Sequence, residues 1–172
     1  MSALYKAAFV AYLKCKNIFT CIIYTKGKTT KIMTDSKIDS IISDFEFLDD
    51  WEDRYRYVID LGKDLAPYPD DARGSDYKVQ GCVSQVWLKL LPHEGTDPVL
   101  EFLGDSDAHI VRGLVALVLA FYEGKRASEI IKTDPEELLK TLGLDEHLTP
   151  QRSNGLRAMI TRIRAEAQET LH

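Results

Sequence analysis

The chain has 172 residues, of which 45% are apolar and 28% are charged, so one soluble globular domain of ordinary composition is expected. No apolar run approaches the roughly 18 residues that a membrane-spanning helix needs, which argues against a membrane protein. The three cysteines show no paired spacing, which argues against a secreted disulfide framework and favours a reducing compartment.

The charge is unevenly distributed along the chain. Residues 1–32 carry six lysines and no acidic residue, and the whole chain carries −5, so residues 33–172 carry −11. An acidic body is a poor match for nucleic acid, whose binding depends on phosphate contacts. It suits a protein that docks on a basic patch of another protein.

The basic segment 1–32 is predicted to be an extension, and residues 33–172 are predicted to be the functional domain. A secretory signal would need a small-residue cleavage site, and an organellar transit peptide would be richer in Arg and Ser. The interpretation favoured here is that translation starts at Met33, which leaves Cys15 and Cys21 without function and the protein in the cytoplasm. A genuine transit peptide would instead place the protein in an organelle.

Two helices are predicted at the start of the body. The first begins near Thr34–Ser36, and its apolar residues follow a helical spacing (Ile38, Ile41, Ile42 and Phe45). The second begins after Asp49 and Asp50, and Gly62 is expected to end it. Its apolar stripe is Trp51, Tyr55, Val58 and Ile59. Residues 65–76 are rich in proline and aspartate and are predicted to be a loop.

Three strands are predicted next, at residues 77–81, 84–91 and 99–103. Their short connections imply antiparallel pairing. Helices follow: one is capped by Ser106 or Asp107 and apolar almost all round at residues 110–121, and others begin at Asp134 and Thr149, each before a proline. The buried face of the last helix is predicted to be Leu156, Met159, Ile160 and Ile163. This order predicts an α+β domain with helices on one face of a small three-stranded antiparallel sheet.

Cys82 is the only cysteine of the predicted domain, and Gly81 places it on a turn between two strand-like runs. A lone thiol cannot form an internal disulfide or a four-cysteine metal site. Its remaining uses are packing as a small apolar residue or chemistry as a nucleophile or acceptor. The local pattern favours neither of them.

The body from about residue 35 to 167 resembles the SufE family of sulfur-acceptor proteins. Each matching segment is weak alone, but their order and spacing make a specific signal. The segments are Trp51-Glu52-Asp53-Arg54-Tyr55, Val79-Gln80-Gly81-Cys82, Ser84-Gln85-Val86-Trp87, Gly104-Asp105-Ser106-Asp107-Ala108, Ile110-Val111-Arg112-Gly113-Leu114 and Leu148-Thr149-Pro150-Gln151-Arg152-Ser153-Asn154-Gly155-Leu156.

The resemblance implies an iron–sulfur-scaffold-like fold and a role in sulfur transfer for iron–sulfur cluster assembly. In this role a pyridoxal-phosphate cysteine desulfurase (SufS-like) holds sulfur as a persulfide, the SufE-like protein accepts it on Cys82 and stimulates the desulfurase, and an iron–sulfur scaffold (SufB-like) receives it. Such a protein is a persulfide carrier rather than a stand-alone enzyme. A homodimer is compatible with this role.

The resemblance also marks four polar or small residues near the acceptor. Gln80 and Gly81 precede Cys82, and Asp107 and Arg152 are expected to order the loop or contact the donor. Asp107 could equally be a helix cap, and Arg152 a solvated residue in a first helical turn. We expect Gly155, inside the last helix, to mark close packing.

No metal or cofactor is expected in the body. It has one cysteine and no ligand-like histidine spacing, no glycine-rich phosphate loop and no lysine in a recognisable pyridoxal context. The alternative function is a non-catalytic adaptor that binds and regulates a desulfurase, with Cys82 as a packed side chain. In either case Cys82 is expected to point partly inward, surrounded by Val79, Val83 and Val86.

Overall fold

The computed structural model describes residues 13–17, 20–25, 28–33, 36–133 and 135–172. The chain divides into two compact units, Met1–Ser36 and Lys37–His172. The first contains a three-stranded antiparallel sheet in the order β1-β2-β3, where the sequence indicated no clear element. Its strands are β1 (Leu13–Asn17), β2 (Thr20–Thr25) and β3 (Lys28–Met33). Thr34 and Asp35, the predicted start of the first helix, lie outside the described residues.

The second unit is an α+β domain. Its strands are β4 (Val86–Leu90) and β5 (Phe102–Ser106). Its helices are α1 (Lys37–Phe47), α2 (Trp51–Lys63), α3 (His109–Tyr122), α4 (Ala127–Lys132), α5 (Glu136–Thr141), α6 (Leu144–His147) and α7 (Pro150–Thr170). None of these helices is long and apolar enough to cross a bilayer.

The predicted stripes of α1 and α7 are buried largely as expected, whereas that of α2 is buried at Val58 and partly buried at its other three residues. Ile38, Ile41 and Phe45 of α1 lie in the core, and α3 is buried almost all round. The α7 face is buried too, at Leu156, Met159, Ile160 and Ile163. Asp50 caps α2 by accepting a hydrogen bond from the Glu52 amide at 3.0 Å. Asp134, the predicted cap of α5, lies outside the described residues.

Gly62 does not end α2, contrary to the prediction, because the helix continues to Lys63. It lets two helices touch instead. A Cβ atom at Gly62 would lie 2.7 Å from the Gly113 nitrogen, and one at Gly113 would lie 2.0 Å from the Val58 carbonyl oxygen. Both glycines are therefore required by the close approach of the α2 and α3 backbones.

The sheet of this unit has two strands, so the prediction of three was wrong. β4 and β5 pair antiparallel from Val86 opposite Ser106 to Leu90 opposite Phe102. The expected strand at 77–81 is replaced by a 3₁₀ turn, Ser75–Tyr77, and a single bridge from Lys78 to Trp87. The chain then turns away at residues 80–84, so no ladder can form there. The last predicted strand lies about three residues later than expected.

The two faces of this sheet are covered differently. One face packs on α3, so closely that a Cβ atom at Gly104 would lie 2.5 Å from Val115 Cγ1. The other face carries Trp87, which packs with Tyr68 and Ala72 from the preceding loop. The sheet thus fixes the position of the segment 80–84 that enters β4.

Candidate functional site around Cys82

Cys82 lies on the short loop of residues 80–84, immediately before β4. Gly81 has φ +88°, in the left-handed region that favours glycine, and it turns the chain sharply before the cysteine. Gln80 and Gly81 are exposed, whereas Cys82 is half-buried. The loop therefore presents its backbone to solvent while its thiol points partly inward.

Both ends of this loop are held by hydrogen bonds. At the start, the amide of Val79 donates to the Val86 carbonyl at 2.8 Å. At the end, the amide of Gln85 donates to Asp107 Oδ1 at 2.9 Å, and the Gln85 carbonyl accepts from Ser106 Oγ at 2.8 Å. The loop is thus closed on itself and fastened to the end of β5.

Asp107 does not cap α3, which corrects the expectation that it was well placed to do so. The helix begins at His109 after Ala108, and no side chain caps it. The Asp107 carboxylate instead accepts a hydrogen bond from the Gln85 amide, and Ser106 Oγ accepts one from the Ala108 amide at 3.3 Å. Asp107 therefore contacts the loop that carries Cys82, although the two residues are far apart in sequence.

The thiol of Cys82 contacts the first turns of α7. Its Sγ lies 3.4 Å from the Gly155 carbonyl oxygen, which accepts the S–H hydrogen bond. A Cβ atom at Gly155 would lie 3.2 Å from Sγ, tighter than an ordinary contact. The expected close packing at Gly155 is therefore packing against the candidate acceptor sulfur.

The thiol opens on a cavity of about 270 Å³ between the loop, α3 and α7. Its apolar walls come from Ala108, Ile110, Val111, Leu114, Leu156 and Met159. Of the three valines expected around the thiol, one lines this cavity. Val83 lines the cavity yet is 77% exposed, and Val79 and Val86 are buried but do not line it.

Burial raises the pKa of the Cys82 thiol above its ordinary value. The isolated protein therefore holds this thiol mainly in its protonated form at neutral pH. Protonated thiols are poor nucleophiles, so the reactivity of Cys82 depends on its surroundings being changed.

Arg152 lines the same cavity, together with its neighbours Thr149 and Gln151. Its guanidinium lies over the ring of Tyr55, with Cζ 5.6 Å from the ring centroid. Among the side chains that the structure describes, which do not include those of Glu137 and Asp145, no carboxylate forms an ion pair with Arg152. Arg152 is half-buried and lines the cavity onto which the thiol opens.

The structure brings all the predicted site residues to one place. Gln80, Gly81 and Cys82 form the loop, Asp107 fastens its end, and Arg152 lines its cavity. Two contributors were missed, the Gly155 carbonyl as the thiol's partner and the Tyr55 ring under Arg152. They were missed because, in a sequence, a glycine inside a helix and a tyrosine on an apolar stripe indicate packing and not membership of a site. In the described part of the chain, no group of His, Cys, Asp and Glu residues is arranged to hold a metal.

The fold and the site define a small α+β domain with one sheltered thiol on a fastened loop. Comparison with known proteins assigns it more narrowly. Residues 39–167 match the family described as "SufE: Fe-S metabolism associated domain", so the chain belongs to the SufE family and is associated with iron–sulfur metabolism.

Two relatives share this family name. A SufE-like protein of Rhizobium meliloti (strain 1021) is 58% identical over 137 residues, which are 79% of this chain and 98% of the relative. A SufE-like protein of Rhizobium etli is 57% identical over 136 residues, which are 77% of this chain and 90% of the relative. Both relatives carry the word "uncharacterized" in their names, so these names give the family alone.

The fold is also similar to a solved structure. The solution structure of a hypothetical protein from Thermus thermophilus matches with a TM-score of 0.63 at 20% identity. The match covers 81% of this chain and 98% of that one. At this identity the likeness supports the α+β fold alone.

Proposed function

We propose that this protein accepts sulfur from a persulfide on a cysteine desulfurase, holds it on Cys82, stimulates the desulfurase and passes the sulfur to an iron–sulfur scaffold. The observation that carries the proposal is the placement of one thiol on a short exposed loop, over an apolar cavity whose arginine has no carboxylate partner among the described residues. In this function the protein passes sulfur from one protein to another and is not a stand-alone enzyme.

The transfer is a thiol–persulfide exchange. The Cys82 thiolate attacks the outer sulfur of the donor persulfide, a new S–S bond forms at Cys82, and the donor's S–S bond breaks. The donor leaves as a thiolate, which takes up the proton that Cys82 gave up. One persulfide and one thiol become one persulfide and one thiol, so no oxidant or reductant is consumed.

The absence of a second thiol in the domain suits a carrier. A neighbouring cysteine would attack the new persulfide, close a disulfide and release sulfide. Residues 33–172 contain Cys82 as their one cysteine. The apolar cavity shelters the persulfide from water and reductants between encounters.

The loop moves when the donor docks. In the free protein the thiol points into the cavity and its pKa is raised. Docking of the desulfurase turns the thiol outward, which removes the burial that suppresses the thiolate. The acidic body, at −11, favours a basic docking patch on the partner and an encounter that salt weakens. A thiol carrier works in a reducing compartment, and we propose the cytoplasm.

Intact-mass measurement after incubation with a SufS-like desulfurase and free cysteine tests the proposal. The wild-type protein gains the mass of one sulfur atom, located on Cys82 by peptide mapping. The Cys82→Ser variant gains none and no longer accelerates sulfide release. A double variant with Cys15→Ser and Cys21→Ser, which leaves Cys82 in place, behaves as wild type.

The same experiment separates the carrier from the adaptor. The half-buried thiol with its raised pKa is what a merely packed cysteine would show. An adaptor would stimulate the desulfurase equally well after Cys82→Ser and would gain no sulfur. That result would refute the carrier function.

A further inference from the structure

One side of α2 supports the chain segment that leads into α7. Trp51, Arg54 and Tyr55 lie at i, i+3 and i+4, which places them on the same side of the helix; we call them the α2 face. The indole of Trp51 stacks on the imidazole of His147, with centroids 3.9 Å apart and planes inclined by 23°. Tyr55 lies under the guanidinium of Arg152.

The contacts of the α2 face extend over the whole segment 143–152. Arg54 Nη1 lies 3.7 Å from where a Cβ atom on Gly143 would be, so it borders the start of the segment. His147 is contacted in the middle and Arg152 at the end. The α2 face therefore sets where this segment lies as it reaches the Cys82 cavity.

The end of the segment forms one rim of that cavity. Arg152 and Gly155 both line it, and they are three residues apart on α7, so they share a side of the helix. The Gly155 carbonyl accepts the hydrogen bond of the Cys82 thiol at 3.4 Å. Arg152 and Cys82 therefore line one cavity, the arginine from α7 and the thiol from the loop 80–84.

An arginine side chain is long and loses much rotamer freedom when it is fixed. Among the described residues, no carboxylate ion-pairs with Arg152, and the ring of Tyr55 is the aromatic face beneath it. The negative face of an aromatic ring attracts a guanidinium and lets it lie flat. The ring can thus fix the cation without neutralising its charge.

We propose that Tyr55 is a positioning residue, whose ring holds the Arg152 guanidinium at the rim of the Cys82 cavity and gives the cavity a fixed preference for negative charge. This inference deepens the proposed function and rests on it, because the charge so placed would stabilise the negative charge that develops on the sulfur atoms during transfer. The preference itself can be measured without a desulfurase.

The measurement is the rate of Cys82 alkylation by iodoacetate divided by the rate with iodoacetamide. The two reagents differ mainly in charge, so the ratio cancels changes in thiol exposure and thiol pKa. The full-length chain is used at low ionic strength, and labelling is read on the Cys82 peptide by mass spectrometry. A unit charge at about 6 Å in a water-like medium changes such a ratio about threefold.

If Tyr55 positions Arg152, the ratio should fall when the ring or the arginine is removed and stay the same when the ring is kept. Tyr55→Leu and Tyr55→Met, which fill the site without a ring, lower the ratio about threefold, as Arg152→Ala does. Tyr55→Phe keeps the wild-type ratio because the ring is retained. In the Arg152→Ala background, Tyr55→Leu causes no further change, since its effect passes through the arginine. Melting temperatures confirm that each variant is folded.

Three results would overturn the inference: an unchanged ratio in both ring-free variants, an equal loss in Tyr55→Phe, or an unchanged ratio in Arg152→Ala. Failure of the proposed function has a different signature. If Cys82 never gains sulfur from a desulfurase but the ratios follow the expected pattern, the positioning role stands and the relay does not.

Discussion

Three arginines of this domain lie over aromatic rings, and two of them, Arg73 and Arg152, have different surroundings. Arg73 lies over Trp87, with Cζ 5.2 Å from the ring, and its Nη2 is 2.6 Å from Asp105 Oδ2. Arg152 lies over Tyr55 and forms no ion pair with a carboxylate of the described residues. We call the site of Arg73 the matched site, because a carboxylate pairs with its guanidinium, and the site of Arg152 the unmatched site, because no described carboxylate side chain does so there.

The matched site serves the fold. Asp105 is 4% exposed, and Arg112 Nε lies 3.2 Å from its Oδ1, so two cations from different elements surround one buried carboxylate. This cluster joins the loop before β4 to β5 and α3. At the unmatched site the guanidinium lies over the Tyr55 ring, and Arg152 lines the cavity onto which the Cys82 thiol opens. The presence of a buried carboxylate partner thus separates Arg73 from Arg152, for which we propose a functional role.

Breaking the matched site should give the largest effect on stability. In Asp105→Asn, two arginines lose the one buried anion they share. Removing one partner of a fully buried pair costs about 3–5 kcal/mol, and since both arginines are partly exposed we expect about 2–4 kcal/mol here. Urea unfolding measures this loss. The control is Asp70→Asn, whose side chain also contacts Arg73 but is 97% exposed, and it should cost less than about 0.5 kcal/mol. Equal losses would contradict the assignment of Asp105 as the structural anion.

Breaking the unmatched site should affect function and spare stability. We expect Arg152→Ala to change the free energy of unfolding by less than about 1 kcal/mol. The desulfurase concentration that gives half-maximal stimulation should rise about tenfold, as for an arginine that is a docking anchor. Titration of the variant with desulfurase measures this change. Arg157→Ala is the control, an exposed α7 arginine paired with Glu136 at 3.6 Å. A large fall in stability without a change in stimulation would make Arg152 the structural residue.

A methyl group at Gly155 should push the thiol away from its carbonyl partner. Alanine gains about 1 kcal/mol of helix propensity over glycine, which offsets the tight 3.2 Å contact with Sγ, so the change in stability should be small. We expect alkylation of Cys82 by iodoacetamide to become several-fold faster, since the thiol is displaced toward solvent. Asn154→Ala, on the exposed side of the same turn, is the control for propensity alone. Unchanged alkylation of Gly155→Ala would show that this contact does not shelter the sulfur.

A pH profile tests the surroundings of the Cys82 thiol, whose pKa is shifted by burial in the cavity that Arg152 also lines. Its pKa is raised in the folded state. The folded protein therefore binds this proton more tightly than the unfolded chain. Below the unfolded pKa the thiol contributes no pH dependence, and stability falls as pH rises from there through the folded pKa. The pH at which the alkylation rate of Cys82 rises should be higher for the folded protein than for the protein unfolded in urea. In Cys82→Ser, the free energy of unfolding should lose this part of its pH dependence. Coincident alkylation profiles would contradict the raised pKa.

Removal of the N-terminal unit should have the smallest effect. Both arginine sites and the Cys82 cavity lie in the unit Lys37–His172. We propose that residues 33–172 are the sulfur-acceptor domain. The free energy of unfolding of a chain beginning at Met33 should therefore differ by less than about 0.5 kcal/mol from that of the full-length protein. Its stimulation of the desulfurase should also be unchanged. A clear loss of either property on truncation would show that residues 1–32 belong to the functional domain.

The sequence predicted the helices better than the sheet, and physical causes explain why. The stripes of α1 and α7 repeat over several turns, so most of their buried residues were predicted correctly. The prediction of a strand at 77–81 was wrong because a short apolar-polar run is compatible both with a strand and with a turn that makes a single β-bridge. Gly62 was assigned to a helix end because its true reason, contact with Gly113, depends on the tertiary fold.

The site was predicted in its members but not in its contacts. The family resemblance placed Cys82, Asp107 and Arg152 together as expectations, whereas no local pattern could show that Asp107 binds the Gln85 amide. The Gly155 carbonyl and the Tyr55 ring were missed because their partners lie 73 and 97 residues away along the chain. Contacts of such separation leave no periodic signal in a single sequence.

The closed ends of the loop 80–84 limit how far the thiol can move in the proposed transfer. Three peptide links join the fastened Val79 to Cys82, and they span at most about 11 Å when fully extended. If Cys82 is the acceptor, the outward turn of its thiol covers a short distance only, and the donor persulfide must come within that reach of the docked surface.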